Sequence, residues 1–292
     1  MSAIFPTRGE KIFRGFNGSL LILISLLFLV PFLTVFMTSF LSEQEYIQRG
    51  PFVLFPEKFD FGAYKMLLFQ GDAVLTAYKN TIFRTVVGTI LQVGATSLLA
   101  YGLSKSDLPG RKIVISALII CIVFPVQIIP LFLLNKSLGL IDSIWSLIWP
   151  RLINTQYVFI MMAFFRQIPA SLEESAKLDG CSVFQTFVRI ILPLSLPSLV
   201  TIGLFYAVWQ WNDWFDAAMF LISQGKLPVQ NLMRTILLSS TMSEVITTGQ
   251  TPPPGEAIKG AVIVISTLPI LAAYPFIQKY FVKGMMIGSV KG

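Results

Sequence analysis

The chain predicts an all-α protein that crosses a membrane six times, with both termini on one side. Three observations predict it. Of its 292 residues, 54% are hydrophobic and 13% charged, and the mean hydropathy is +0.73, more apolar surface than a soluble core of this size needs. Apolar runs of about 20 residues, the length that spans a bilayer core, recur along the whole chain. Lys and Arg gather in alternate connections between those runs. One polytopic membrane domain is expected, not two soluble ones.

Six runs carry the spans. The first, roughly 19–41, has no charge. Lys11 and Arg14 precede it as they would in a signal peptide, but it is too long for one and no small-x-small cleavage site follows. The second is roughly 80–103, with Arg84 near one end, and the third roughly 113–134. The fourth, roughly 144–165, is interrupted by Pro150 and Arg151. The fifth, 194–222, is long, and the sixth is roughly 258–280. Pro31, Pro125, Pro130, Pro150, Pro269 and Pro275 fall inside these runs, where neighbouring helices satisfy the freed carbonyls and kinks are tolerated. The domain is then 19–283, between a terminal segment 1–18 and a tail 284–292.

Basic residues near span ends set the orientation. One side holds Arg8, Lys11, Arg14, Lys105, Arg111, Lys112, Arg166, Lys177, Arg189, Lys279, Lys283 and Lys291. The longer connections of the other side, 42–79 and 223–257, hold fewer. The first side, with both termini, is therefore cytoplasmic. The formal net charge of +7 follows from this asymmetry and forms no concentrated patch, so it does not point to nucleic acid. The chain has no histidine, which excludes a His-based triad or metal site. No Gly-x4-Gly-Lys-Ser/Thr loop occurs, so a phosphate-loop ATP site would lie on another chain. Cys121 and Cys181 fall too far apart in this layout to pair.

Between the fourth and fifth spans lies a polar island, 169–193. Ser171 with Glu174 reads as a capping box opening a short helix. Gly180 sits where a left-handed residue would end it. Ser182 can start a second short helix, closed by Arg189. The bland reading is a solvated helix face, Glu173, Glu174, Lys177 and Asp179, with an ordinary C-cap glycine. The other is a rigid bent docking element.

The island resembles a named motif. Glu174, Ser175 and Ala176, three residues, Gly180, nine residues, then Ile190, Leu192 and Pro193 match the Glu-Ala-Ala loop of ABC-importer permeases. The departure is Ser175 for Ala. The words Leu172-Glu173-Glu174 and Leu178-Asp179-Gly180, and the ending from Gln278 to Gly284 and Lys291-Gly292, are similar to the carbohydrate, maltose-type branch. The resemblance implies an inner-membrane permease with a cytoplasmic coupling-helix elbow seated in a groove of an ATPase subunit. Glu173, Glu174, Ser175, Ala176, Asp179, Gly180, Ile190, Leu192 and Pro193 would couple it to that subunit, with Leu172, Ala176 and Leu178 supplying packing. It implies no cofactor on this chain, ATP and Mg belonging to the ATPase. The implied partners are a second similar permease (a heterodimer), two ATPase subunits, an extracytoplasmic solute-binding protein and the lipid bilayer. The tail, with Met285, Met286 and Ile287, would reach between the ATPases; the bland alternative is a frayed end. The stretches Tyr274 to Gly284 and Trp211 to Asp216 look like a sub-branch handling polysaccharide fragments, including uronates such as alginate or pectin pieces.

The fifth span ends in Trp209-Gln210-Trp211-Asn212-Asp213-Trp214-Phe215-Asp216. On one continuous helix Trp209, Asp213 and Asp216 would share a face. Aromatic planes beside carboxylates and amides suit sugar rings, so Trp209, Trp211, Asn212, Asp213 and Asp216 are the substrate-pathway candidates. An interfacial aromatic belt is the equal alternative. Arg84 and Arg151 are expected to pair with Asp142, Asp213 or backbone carbonyls rather than with an anionic substrate. Loop 223–257 holds Thr251-Pro252-Pro253-Pro254-Gly255, either a stiff contact for the delivery protein or a linker. The aromatic loop 42–79, with Phe52, Phe55, Phe59 and Phe61, looks folded.

The expected function is passage of a carbohydrate inward by alternating access driven by a separate ATPase. An ion- or proton-coupled carrier acting alone would need titratable groups deep in several spans, and few occur. A membrane-embedded enzyme would need a nucleophile with a base, or a metal cluster, and neither pattern is present.

Overall fold

The computed structural model describes residues 8–50, 53–69, 72–239 and 255–289, and those residues are helical or irregular, without strands. The helices run in order α1 (Arg8–Thr38), α2 (Glu43–Arg49), α3 (Gly62–Phe69), α4 (Ala73–Ser104), α5 (Arg111–Val123) and α6 (Ile128–Ser137). There follow two 3-10 turns at Ile144–Leu147 and Trp149–Arg151, then α7 (Thr155–Phe165), α8 (Ala170–Leu178) and α9 (Val183–Thr186). A π-helical turn, Phe187–Ile191, leads into α10 (Leu192–Leu194), α11 (Leu196–Asn212), α12 (Phe215–Phe220), α13 (Val229–Ser239) and α14 (Gly255–Ser289).

The chain forms two compact units, one of residues 1–71 and 235–267, the other of 72–234 and 268–292. In the first, α1 begins at Arg8, so residues 8–18 of the expected terminal segment are helical. The described residues of 42–69 are folded: Ser42 caps α2, and Phe40 packs against Phe59, Phe61 and Tyr64 with ring centroids 5.1–5.6 Å apart. Phe52 lies outside the described residues. α14 crosses α1 at Gly260, where a Cβ would stand 2.9 Å from the Val35 carbonyl oxygen. Only a glycine permits that approach.

Three described helices are long and apolar enough to cross a membrane, and five spans result if each of two bent pairs is one crossing. The unbroken ones are Ile12–Thr38, Ala73–Ser104 and Gly255–Ala272. The third expected run is not one helix: α5 and α6 meet at 120°, because Pro125 stops α5 and the chain stays non-helical as far as Gln127. The fourth reduces to α7, 11 residues, preceded by the 3-10 turn that holds Pro150 and Arg151. The fifth starts bent by 83° at Pro193 and Pro197 and ends at Asn212 rather than 222. α14 runs to Ser289 through the tail expected at 284, and the triple proline 252–254 lies outside the described residues.

The second unit has its main core where α4, α7, the π-turn and α11 converge. Tyr101, Val158, Met161, Phe165, Phe187, Ile191, Ile202 and Tyr206 are buried together there. Tyr101 stacks on Phe187 at 4.9 Å and Phe165 meets Phe187 edge-on at 6.4 Å. Nearby connections are clasped by Asp142, a left-handed residue (φ 60°). Its carboxylate accepts from the Ile222 and Ser223 N–H groups, the Ser223 hydroxyl and the Lys226 ammonium. Lys226, ahead of the Ser223 bonds, holds this carboxyl well below the usual carboxylate range. Asp142 thus pairs with a lysine, not with the arginines considered from sequence.

Candidate functional site

The island 169–193 is a helix–corner–helix elbow. α8 begins two residues earlier than expected. Pro169, extended at φ −58° and ψ 130°, is its N-cap and no side chain caps it. Ser171 is thereby drawn into the first turn, and the Ser171–Glu174 capping box does not form. The C-terminus closes as a Schellman motif: Cys181 N–H reaches Ala176 O at 2.9 Å and Gly180 N–H reaches Lys177 O at 3.1 Å. Gly180 supplies the left-handed residue, φ +79°. A reciprocal capping box does occur one step later, where Ser182 Oγ accepts from Gln185 N–H and Gln185 Oε1 accepts from Ser182 N–H.

Past α9 the helix does not close at Arg189. Pro193 has no N–H to give, and the ladder shifts to π register, with Leu192 N–H bonding Phe187 O. This turn sinks Phe187 and Ile191 into the core. Outside, Leu178 is 90% exposed, and Val183, Phe184 and Leu172 are exposed beside it. An exposed apolar apex on a polar elbow is a contact surface in waiting.

The expected coupling residues divide. Glu174, Ser175, Asp179, Gly180 and Pro193 are exposed, and Ile190 and Leu192 half-buried. Ala176, at 3% exposure, is turned inward and packs within the elbow, so it is not among the outward packing residues. Glu173 is engaged inside the chain: it pairs with Lys105, just beyond α4, and its Oε2 accepts from the Tyr101 hydroxyl at 3.4 Å. Lys105 in turn lies 4.5 Å from the centre of the Tyr101 ring. Sequence reasoning missed Lys105 and Tyr101, which join α8 to α4.

The other end of α11 carries the second cluster. α11 has 17 residues, so the two ends lie about 25 Å apart at 1.5 Å per residue. Asp213 leaves the helix with extended backbone (ψ 113°), so Trp209, Asp213 and Asp216 do not share one helical face. Both carboxylates instead turn to arginines. Arg84 donates through Nη2 to Asp213 Oδ2 at 2.5 Å, through Nη1 to the Asp213 carbonyl at 2.9 Å and through Nε to Gln210 Oε1 at 2.6 Å. Arg151 embraces Asp216 through Nε and Nη2, the latter at 3.0 Å. For Arg84 the partner Asp213 is one the sequence led one to expect; Arg151 pairs instead with Asp216, which was not among the expected partners. The Trp209 indole lies within cation–π reach of both, its centre 5.7 Å from the Arg84 guanidinium carbon and 5.4 Å from that of Arg151.

Behind them runs a polar stripe that sequence reasoning missed. Thr81, Arg84, Gly88, Gln92 and Thr96 recur every three or four residues along α4 and are all buried. Gln92 accepts from Gln210 at 3.2 Å and donates to the Arg151 carbonyl at 2.9 Å; Thr96 bonds the Tyr206 hydroxyl at 2.7 Å. That helical spacing inside an apolar run was the available signal. A cavity of about 650 Å³ opens beside the cluster, lined by Tyr157, Leu204, Phe205, Val208, Trp209, Asn212, Asp213, Trp214 and Phe215. Of the pathway candidates, Trp209, Asn212 and Asp213 line it. Asp216 is buried and paired with the partly exposed Arg151, and Trp211 packs against Tyr78 at 6.3 Å.

An elbow and an aromatic, charge-neutral cavity joined by one helix suit a transport subunit. The family described as binding-protein-dependent transport system inner membrane component matches residues 10–287. The chain belongs to that family. This permease is 43% identical over 288 residues to the polygalacturonan/rhamnogalacturonan transport system permease protein YtcP of Bacillus subtilis, covering 97% of this chain and 99% of that protein. It is 44% identical to protein LplC of the same organism, covering 98% and 97%. Among solved structures, a bacterial ABC transporter involved in the import of the acidic polysaccharide alginate contains a chain that superposes with a TM-score of 0.87 at 31% identity, covering 96% of the permease and 100% of that chain. The permease is thus a multi-pass inner-membrane subunit of an ABC importer that works with an ATPase and a solute-binding protein.

Proposed function

We propose that this subunit passes an oligosaccharide, of the uronate-bearing kind found in pectin or alginate, into the cytoplasm by alternating access driven through the 169–193 elbow. The observation that carries the reading is the single helix α11, with the elbow bent onto one end and the aromatic cavity built on the other. Closure of two ATPases around a rigid elbow would swing α11, while Phe187 and Ile191, wedged among Tyr101, Phe165 and Ile202, would carry α4 and α7 along. ATP and Mg would be bound by the ATPase subunits. The chain is proposed to span six times with both termini cytoplasmic, counting α7 and its preceding turns as the remaining crossing, and to pair with a second, similar permease. Glu174, Ser175, Asp179, Gly180, Ile190, Leu192 and Pro193 are proposed to face the ATPase, with Ala176 and Glu173 bracing them from within.

The substrate class draws on the specificities that the relatives' names state and on the cavity chemistry. Trp209, Trp214, Phe215 and Tyr157 offer planes for the C–H faces of sugar rings, and Asn212 offers an amide for hydroxyls. The buried carboxylates Asp213 and Asp216 are committed to arginines, which argues against an ion-coupled carrier working through them. Reconstitution with the second permease, the ATPases and the binding protein tests the proposal. Oligogalacturonate should stimulate ATP hydrolysis and a neutral oligosaccharide should not. Uptake that persists without the ATPases would contradict it.

A further inference from the structure

We propose that Arg234 is a specificity-determining residue that reads a carboxylate of the transported sugar. This rests on the reading of an acidic oligosaccharide given above. The four charges packed around Trp209 cancel in two pairs, Arg84 with Asp213 and Arg151 with Asp216, and leave no net attraction for an anion. Arg234 differs. It is exposed, and among the described residues no carboxylate lies within ion-pair distance of it. Its guanidinium carbon sits 3.5 Å from the centre of the Trp214 ring, and Trp214 lines the 650 Å³ cavity.

The placement is held from several directions. At its start α13 is pinned to α4, where Val229 N–H donates to Thr81 Oγ1 at 2.8 Å. One turn before Arg234, Asn231 Nδ2 donates to the Trp214 carbonyl at 2.8 Å. Residues three apart share a helix face, so α13 grips Trp214 twice, by its backbone and by its ring. Val229 and Met233 are buried beneath. A guanidinium lying on an indole keeps its edge N–H groups free and in one plane, the fork that matches a carboxylate. The sugar ring would stack on the aromatic lining while its carboxylate met that fork. A lysine could not reproduce the stack.

The test is direct binding to the whole transporter complex in lipid nanodiscs, without the binding protein so that its own preference does not enter. Trigalacturonate and its methyl ester are the probes, compared between wild type, R234Q and R234K. Loss of a charge-assisted bond predicts that the acid-to-ester affinity ratio falls about tenfold or more in R234Q, with R234K intermediate. Ester binding by the same preparation reports that the variant is folded. Wild type that prefers the acid, with R234Q keeping the same ratio, overturns the role of Arg234 alone. Wild type that binds neither probe, or shows no preference, overturns the acidic-sugar reading and this proposal together.

Discussion

Arg84 in α4 and Asp213 at the end of α11 share a 2.5 Å charge-assisted hydrogen bond with side chains only 1% and 9% exposed. Gln210 accepts the same arginine's Nε, so the helix end is held by three bonds to one guanidinium. Leaving one member of such a pair buried alone costs about 3–5 kcal/mol, whereas replacing both by apolar groups of similar volume is far milder. R84M alone should therefore sharply lower the thermal stability of the detergent-solubilised permease, and R84M/D213L should recover much of the loss. Equal stability of the two variants would contradict this.

Gly260 and Gly94 make a matched pair of tests. A Cβ at Gly260 meets backbone of α1, 2.9 Å from Val35 O and 3.0 Å from Ser39 N, which no rotamer change relieves; at Gly94 nothing lies within 4 Å. G260A is expected to destabilise by about 1–3 kcal/mol through overpacking. G94A, in a helix interior, is expected to be neutral or to gain up to about 1 kcal/mol. Unfolding of both variants in the same detergent checks the contrast.

Glu173 distinguishes an outward from an inward role. Its pairing with Lys105 ties the elbow to α4. Either E173K or K105E should weaken coupled uptake several-fold, and the exchange K105E/E173K should restore most of it. A Glu173 needed by the ATPase itself would leave the exchange as impaired as E173K.

Gly180 isolates backbone conformation from sterics. Its φ is +79° and no atom lies within 4 Å of the place a Cβ would take, so alanine there meets no clash, only backbone strain of about 1–2 kcal/mol. G180A should reach the membrane and assemble yet transport poorly per ATP hydrolysed, and G180N, which tolerates the left-handed region, should be closer to wild type. Identical uptake-to-hydrolysis ratios in all three would remove the corner from the mechanism.

The elbow was legible because its signals are local: Gly180 needs a positive φ, and Ser182 is a cap wherever the helix resumes. Ser171 misled because Pro169 can start a helix without a side-chain cap, a choice settled by backbone geometry. The long apolar runs announced α1, α4 and α14, but composition cannot say whether a proline bends a span or breaks it. Pro125 produced a 120° turn, while Pro31 lies within a continuous helix. The tryptophan-rich ending marked the cavity region. Its partners Gln92 and Arg84 lie more than a hundred residues from Gln210 and Asp213, and such pairings are set by how α4 and α11 pack.

The most direct measurement places a single cysteine at Leu178, the exposed apex of the elbow, in a C121S/C181S background, and asks what it touches in the assembled transporter in vesicles. The account predicts a cross-link to the ATPase subunit that ATP strengthens, and labelling by a membrane-impermeant thiol reagent from the cytoplasmic face alone. Labelling from the opposite face, or an assembled and active transporter in which position 178 joins no ATPase, would contradict it.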